Sequence, residues 1–204
     1  MKIRVIGDYN VGRRSLIIAG SVDRKFELDP DVFINPGLVD CFLIKMKWDG
    51  TPYSVYIDMD PCAGEPEDIE IFRRLGYFMT DVFLVCFSTV IPESLENVSK
   101  KWIPKIRDYC PHDRGLRFPI ILLVGTQIDH RQDRATLDKL ADKNQTPISS
   151  KVGAKVAKQI GAAKYVECSA MTKEGLQGVD SIIDQACYER LKPEEKKKKM
   201  CTIS

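Results

Sequence analysis

The sequence predicts an α/β fold, a doubly wound, mostly parallel six-stranded sheet with helices on both faces. Short β-rich runs alternate along the chain with segments that have helical spacing. The later runs are nearly all apolar, which is typical of strands buried on both faces of a parallel sheet. One hairpin signal supplies two more strands. Strand–helix alternation with a single hairpin is the pattern of a doubly wound fold.

The individual elements follow from local patterns. Apolar runs predict strands at residues 3–7, 82–87, 120–125 and 164–168. A hairpin is predicted between Cys41 and Asp58, because Asp49-Gly50 is a favoured two-residue turn and is flanked by alternating residues. Helical spacing predicts helices over residues 12–20, roughly 93–109, 151–161 and 176–191.

One domain accounts for residues 1–191, and the remainder is predicted to be a flexible polybasic tail, residues 192–204. A chain of 204 residues is long enough for one domain with a substantial core, and it shows no internal repeat. Pro193 and the charged run that follows it predict flexibility beyond about Leu191. The tail carries five lysines and two glutamates, so it contributes +3 to a net charge of +2.

The composition excludes several classes of protein. With 44% hydrophobic and 29% charged residues, the chain is predicted to be soluble and globular. No apolar run approaches the roughly 20 residues that span a bilayer, and the N-terminus lacks a signal-peptide pattern. The sequence shows no basic face of the kind that predicts nucleic-acid binding. The seven cysteines are scattered without a CxxC pair, which predicts free thiols in a reducing cytosol.

Ligands of such a sheet bind beyond the carboxyl ends of its strands, and the first unusual stretch lies there. It is "GDYNVGRRS", which follows the first predicted strand. A glycine-containing loop between a strand and a helix directs backbone N–H groups at a phosphate, although an ordinary strand–helix turn has the same outline. The candidate ligand residues are Gly7, Asp8, Tyr9, Asn10, Val11, Gly12, Arg13, Arg14 and Ser15.

Two further stretches follow later strands. "LLVGTQIDH" ends in Thr126, Gln127 and Asp129. The Asp129 carboxylate could accept both the ring N–H and the exocyclic amine of guanine, or it could simply cap the next turn. "ECSAM" contains Ser169 and Ala170, whose backbone N–H groups could meet a base carbonyl.

In this order and spacing, the three stretches resemble a Ras-type small GTPase, a P-loop NTPase, and more closely its Rho family. The resemblance is densest at residues 80–111, and residues 134–150 resemble the extra helix of Rho proteins. It implies GTP or GDP as ligand and a Mg²⁺ ion. It also implies a monomer with effectors, exchange factors or dissociation inhibitors as partners, and a role in actin or membrane signalling.

The sequence departs from this family on the phosphate side. Arg13 stands where the family has the phosphate-binding lysine, and Arg14 stands where a Thr or Ser hydroxyl ligates Mg²⁺. Arg14 either replaces the charge of the metal or points to solvent, and the second is favoured. Tyr9 replaces a glycine near the γ-phosphate. Its side chain either crowds the attacking water or folds outward.

The sequence also departs from the family in its two switch motifs, the segments that contact the γ-phosphate and its metal ion. In "DMDPCAGEPE", Pro61 falls at the family's Asp position, while Asp58 and Asp60 lie near it at other spacings and remain possible metal ligands. Glu65 replaces the Gln that orients the attacking water, and its negative charge opposes phosphate binding. The switch threonine is replaced by Asp31 or Gly37, depending on the register.

These departures predict weak or absent GTP hydrolysis and leave Mg²⁺ in doubt, whereas the base side is nearly intact. Gln127 replaces a lysine that covers the base, and Asp129, Ser169 and Ala170 match the family. Two possibilities stay open at this point. The chain is a slow or exchange-driven nucleotide switch, or it is a pseudo-GTPase scaffold that binds no nucleotide.

The C-terminus predicts membrane attachment. Cys201 opens a C-a-a-X box that ends in Ser204, a pattern for farnesylation, and Lys196–Lys199 precede it. One lipid chain binds only marginally, so the lysines provide the second signal on an anionic leaflet. The predicted location is the cytoplasmic face of the plasma membrane or of endomembranes.

Overall fold

The computed structural model describes residues 1–23, 41–48, 51–60, 66–110 and 118–191. These residues form an α/β structure around one twisted sheet with strand order β2-β3-β1-β4-β5-β6. The strands are β1 (Lys2–Gly7), β2 (Cys41–Trp48), β3 (Thr51–Met59), β4 (Val82–Ser88), β5 (Ile120–Thr126) and β6 (Lys164–Glu167). The predicted α/β class and its parallel sheet are confirmed.

Five strands run parallel, and β2 alone is antiparallel to its neighbour β3. The β2–β3 pairing runs from Cys41 opposite Asp58 to Trp48 opposite Thr51. The strands of the predicted hairpin are therefore confirmed. Its Asp49-Gly50 turn lies outside the described residues.

The helices follow the strands in alternation. They are α1 (Arg13–Asp23), α2 (Pro66–Phe78), α3 (Pro92–Asn97), α4 (Ile103–Tyr109), α5 (Arg134–Ala141), α6 (Ser150–Ile160) and α7 (Leu176–Leu191). Sequence patterns missed α2. They also predicted one helix where α3, a π-helical turn (Val98–Trp102) and α4 follow one another. Pro104 explains the turn, because a proline cannot donate the helical hydrogen bond to the carbonyl four residues earlier.

Both faces of the sheet are covered, as a doubly wound fold requires. The side chains of β4 alternate between two cores, with Val82 and Leu84 in one and Phe83 and Val85 in the other. The first core contains side chains of α1 and α7, and the second contains side chains of α3, α4 and α6. Because every strand in the centre of the sheet packs on both faces, the carboxyl ends of the strands are held as a rigid edge.

Four cysteines of the described part of the chain are buried free thiols, namely Cys86, Cys110, Cys168 and Cys187. Burial raises the pKa of the Cys86 and Cys168 thiols to about 12, so both remain protonated at neutral pH. Among the described helices, none has the length and apolar character needed to cross a bilayer.

A helix, α5, lies within the segment predicted to be the Rho-type insert. Asp133 caps it, because its carboxylate accepts the Thr136 backbone N–H at 2.9 Å. The assignment of this helix to the Rho type stays a prediction.

Candidate functional site

The loop between β1 and α1 has the backbone shape that a phosphate-binding loop requires. Gly7 adopts φ 145°, and a Cβ there would lie 2.3 Å from the Cys86 carbonyl oxygen. Gly12 adopts φ 80° and precedes the first residue of α1. Both positions require glycine. The N-terminus of an eleven-residue helix therefore opens onto the loop, and its free N–H groups favour an anion.

Asp8 anchors this loop to the helical segment behind it. Its carboxylate accepts the Asn97 side-chain amide at 2.7 Å and the Trp102 indole N–H at 2.9 Å. Asn97 ends α3 and Trp102 ends the π-helical turn, so Asp8 holds the loop against that irregular part of the helix. Asp8 thus has a positioning role in the structure, in addition to its predicted place in the loop.

The substituted loop residues point in different directions. Tyr9 is 75% exposed, so its side chain faces outward, the second of the two alternatives. Arg14 is exposed, as the favoured alternative expected. Arg13 is only 7% exposed, and its Nη1 donates to the Asp60 backbone carbonyl at 3.1 Å. The arginine in the lysine position therefore contacts the end of β3.

The base-side strand β5 is tied directly to the loop. The Thr126 hydroxyl lies within hydrogen-bond distance of the Val11 and Phe87 carbonyl oxygens. Gln127, in a left-handed conformation with φ 60°, donates its side-chain amide to the Asn10 carbonyl at 3.3 Å. Its side-chain oxygen accepts the Ser88 hydroxyl. Gln127 thus bridges the loop and the ends of two strands, a geometry in which a neutral amide replaces the family's lysine.

Asp129 and Ser169 follow the ends of β5 and β6. The Asp129 side chain is 17% exposed and lies 3.5 Å from the His130 ring. The Ser169 hydroxyl accepts the backbone N–H groups of Met171 and Thr172, at 3.1 and 3.0 Å. The Ser169 N–H donates to the Glu174 carbonyl at 2.9 Å. These bonds close the loop after β6 into a compact turn that carries Ala170.

A half-buried ion pair joins the segment after β5 to the end of β6. The Arg131 guanidinium binds both carboxylate oxygens of Glu167, and its Nη1 lies 2.7 Å from Oε2. The Ser150 hydroxyl donates to the same carboxylate at 2.7 Å, and the Tyr165 hydroxyl donates to it as well. Burial works to raise the pKa of Glu167, but Arg131 and these hydroxyls outweigh burial and hold the pKa below its ordinary value.

This ion pair was not predicted from the sequence. Its only sequence signal is position, since Arg131 comes two residues after Asp129 and Glu167 comes two residues before Ser169. Both residues belong to types that are more often solvated. The pair fixes the short 3-10 helix (Ile128–Gln132) against β6.

A cavity of about 450 Å³ opens between these segments. Its volume is in the range of sites for small ligands and cofactors. The predicted residues that line it are Gly12, Ser15, Thr126, Gln127, Asp129 and Ala170. The other lining residues are Leu16, Ile18, Ala19, His130, Cys168, Met171 and Lys173. The remaining loop residues and Ser169 are not among the lining residues.

The two possible metal ligands are both engaged by cationic side chains. Asp58 lies 2.8 Å from the Lys2 amine and 3.0 Å from the Arg4 guanidinium. Asp60 accepts Arg73 Nε at 2.8 Å, with only 1% of its side chain exposed. Burial disfavours the charge of Arg73, but the Asp60 carboxylate outweighs burial and raises the pKa of Arg73. The described residues contain no group of three or more side chains suited to hold a metal ion.

Several predicted residues lie outside the described ranges. They are Asp31, Gly37, Pro61, Glu65, Lys196–Lys199 and Cys201. Their roles stay predictions.

A loop whose shape requires glycine lies at a helix N-terminus and adjoins a cavity at the carboxyl ends of the parallel strands, which is the arrangement of an α/β protein that binds a nucleotide. A sequence model of the Ras family matches residues 2–189. The chain therefore belongs to the Ras family of small GTPases, which bind GTP and GDP.

Proposed function

We propose that this chain is a Rho-like signalling protein that binds guanine nucleotides and acts by contacting effector proteins. The observation that carries the proposal is the shared cavity. Gly12 and Ser15 bring the phosphate loop to it, Thr126 through Asp129 bring the base-side strand, and Ala170 brings the turn after β6. These segments lie far apart in the sequence and meet only at the carboxyl edge of the sheet.

The guanine base and the phosphates of the nucleotide each have a matching group at this cavity. The Asp129 carboxylate is an acceptor for the ring N–H and the exocyclic amine of guanine, a pairing that adenine does not offer. Ala170 carries a backbone N–H for the base carbonyl. Gly12 and Ser15 belong to the loop and first helical turn, where N–H groups and the helix dipole stabilise phosphate.

GTP hydrolysis is proposed to be weak or absent. Phosphoryl transfer depends on positioning and on charge stabilisation by a metal ion and oriented groups. Arg13 contacts the Asp60 carbonyl, and Arg73 contacts the Asp60 carboxylate, so this part of the site is occupied by the chain's own side chains. At the water-positioning place the sequence supplies Glu65, whose charge opposes the negative charge that develops there.

The alternative is a pseudo-GTPase scaffold that binds no nucleotide. Two contacts favour it: Gln127 already bridges Asn10 and Ser88, and Arg13 is buried against Asp60. Both contacts tie the loop and the start of α1 to neighbouring strand ends. In that case the protein presents a fixed surface to its partners.

Titration with a fluorescent GTP analogue separates the two functions. Nucleotide binding predicts a saturable signal that excess unlabelled GDP displaces and excess ADP does not. Asp129→Ala is the control, because it removes the guanine acceptor while leaving the loop intact. A flat titration for the wild-type chain rejects nucleotide binding and favours the scaffold.

Effector binding is supported by an exposed apolar row that runs along α2 and ends at the residue just after it. Ile71, Leu75 and Met79 follow one another at intervals of four residues, and they are 57%, 67% and 70% exposed. Contiguous exposed apolar residues mark interaction surfaces in soluble proteins. The proposed partners are effectors, with exchange factors or dissociation inhibitors as regulators, in cytoskeletal or membrane signalling.

Membrane attachment is proposed from the C-terminal sequence alone. Farnesyl on Cys201 and the charge of Lys196–Lys199 together would hold the protein on an anionic cytoplasmic leaflet. Labelling with a farnesyl analogue in cells tests this, with Cys201→Ser as control. Label on the wild type alone supports the proposal, and an unlabelled wild type rejects it.

A further inference from the structure

Asp60 is the carboxylate residue that directly follows β3, at the edge of the sheet that faces the phosphate loop. It comes directly after Met59, the last residue of β3, and its N–H donates to the Val5 carbonyl at 3.0 Å. This bond fixes Asp60 beside β1, close to where β1 runs into the loop. Among the described residues, Asp60 is therefore the best placed to hold a metal ion for the phosphates.

Two guanidinium groups converge on Asp60 instead. Arg13 from the start of α1 binds its backbone carbonyl at 3.1 Å, and Arg73 from α2 binds its carboxylate at 2.8 Å. Arg73 is itself held in place, with its guanidinium 5.6 Å from the centre of the Trp102 ring. Trp102 in turn donates to Asp8 of the loop. The arginines are therefore part of one connected arrangement with the loop.

A magnesium ion does not fit these residues. Mg²⁺ requires an octahedral shell of oxygen ligands, usually with one or two carboxylates. Here the carboxylate is buried in an ion pair, and the position expected to supply a hydroxyl is Arg14. A divalent ion at Asp60 would lie beside the guanidinium groups of Arg13 and Arg73 in a site largely withdrawn from water, and the carboxylate that it needs is already paired with Arg73. Arg73 Nη1 also lies 3.6 Å from the Glu70 carboxylate.

We propose that this chain binds the phosphates of guanine nucleotides without a divalent cation, that Arg13 supplies the positive charge in its place, and that Arg73 cancels the negative charge of Asp60. Arginine suits this role because its charge is permanent and its planar group recognises phosphate with two parallel hydrogen bonds. Arg73 neutralises Asp60, and Arg13 stands at the end of the loop that cradles phosphate. The inference rests on the proposed nucleotide binding and specifies how it is achieved.

The test is the affinity of the full chain for fluorescent GDP, measured in Mg²⁺ and again in excess EDTA. Two ligands that are not coupled leave each other's affinity unchanged, so the two values are expected to agree within about threefold. A loss of about tenfold or more in EDTA overturns the inference while leaving nucleotide binding in place. No binding in either buffer overturns both proposals.

Two variants sharpen the test. Arg73→Gln is expected to weaken GDP binding about tenfold in both buffers. It should leave binding of the nucleoside guanosine unchanged, because Arg73 affects the binding of the phosphates and not of the base. The matched control is Arg74→Gln, the next residue on α2, which is exposed and lies over the Tyr109 ring. Equal loss of GDP and guanosine binding in Arg73→Gln, or no loss of either, contradicts the inference.

Asp60→Asn distinguishes a metal ligand from an arginine partner and leaves the shape of the side chain intact. With no metal at the site, removing the negative charge keeps or raises the affinity for GDP in Mg²⁺. If Asp60 oriented a metal ion, the same change would lower that affinity and abolish any difference between Mg²⁺ and EDTA. That second result would overturn the inference.

Discussion

The two ends of the candidate nucleotide site are built differently. At the base end, Asp129 lines an open cavity, and the Arg131–Glu167 ion pair supports it from behind. At the phosphate end, Asp60 is buried beneath Arg13 and Arg73. Under the proposed function, ligand recognition persists at the base end while arginine side chains take the place of the metal ion at the phosphate end. Binding and hydrolysis depend on separate groups and need not be lost together.

The largest expected effect is at the base end. Asp129→Ala is expected to lower GDP affinity about a hundredfold, because guanine would lose two hydrogen bonds to a charged acceptor. Titration with fluorescent GDP measures the loss. Asp138→Asn, on the exposed face of α5, is the matched acidic control and should bind as the wild type does. A loss below about threefold would show that Asp129 does not contact the base.

The second effect tests whether the ion pair behind the base end positions Asp129. Arg131→Ala is expected to lower GDP affinity about tenfold and to reduce the preference for GDP over IDP, which lacks the exocyclic amine. Arg131→Lys keeps the charge but not the paired geometry, so its GDP affinity should fall between those of the wild type and Arg131→Ala. If stability falls while the GDP-to-IDP ratio stays at the wild-type value, the pair has only a structural role.

The third effect is a dependence of stability on pH. Since the pKa of Glu167 is lower in the folded chain than its ordinary value of 4.5, its ionised form stabilises the fold above about that pH. This contribution is lost as the pH falls through the folded-state pKa. Urea unfolding of the wild type and Glu167→Gln should therefore show a stability difference at pH 7 that narrows below about pH 4. A constant difference across this range would contradict the role given to Glu167.

The smallest effect is expected for Tyr9, in the phosphate loop. Tyr9→Gly restores the family's residue, yet Tyr9 already faces solvent, so GDP affinity and GTP hydrolysis should change by less than about twofold. Single-turnover hydrolysis measures this. A large gain in rate would mean that Tyr9 obstructs the reaction and that the arginines do not.

The fold was predictable because its signals are local and repeated. The alternation of β4 between two cores appears in the sequence as an unbroken apolar run, and the hairpin strands are flanked by a favoured turn. Helix α2 was missed because it begins at Pro66, and a proline fits a loop as readily as the first position of a helix. The π-helical turn was missed because hydrophobic spacing does not register one extra residue within a helix.

The site was predictable only in part. Glycine spacing and the residues after β5 and β6 indicated which segments meet, since the carboxyl ends of parallel strands share one edge. The directions of Arg14 and Tyr9 could not be settled from the sequence, because both alternatives fit the same local sequence, and the contact of Arg13 with Asp60 had no sequence signal. The contact of Arg73 with Asp60 joins residues on two elements and has no motif. Such ion pairs are fixed by packing in three dimensions.

Single-turnover hydrolysis tests the central claim most directly, namely that the chain holds guanine nucleotide but does not hydrolyse it at a family rate. The full chain is loaded with GTP and separated from free nucleotide. The bound nucleotide is then released by denaturation at intervals and identified. The account predicts GTP that persists well beyond the time expected for an intrinsic rate on the order of 10⁻⁴ s⁻¹. Conversion to GDP at that rate, or a chain that retains no nucleotide, would contradict it.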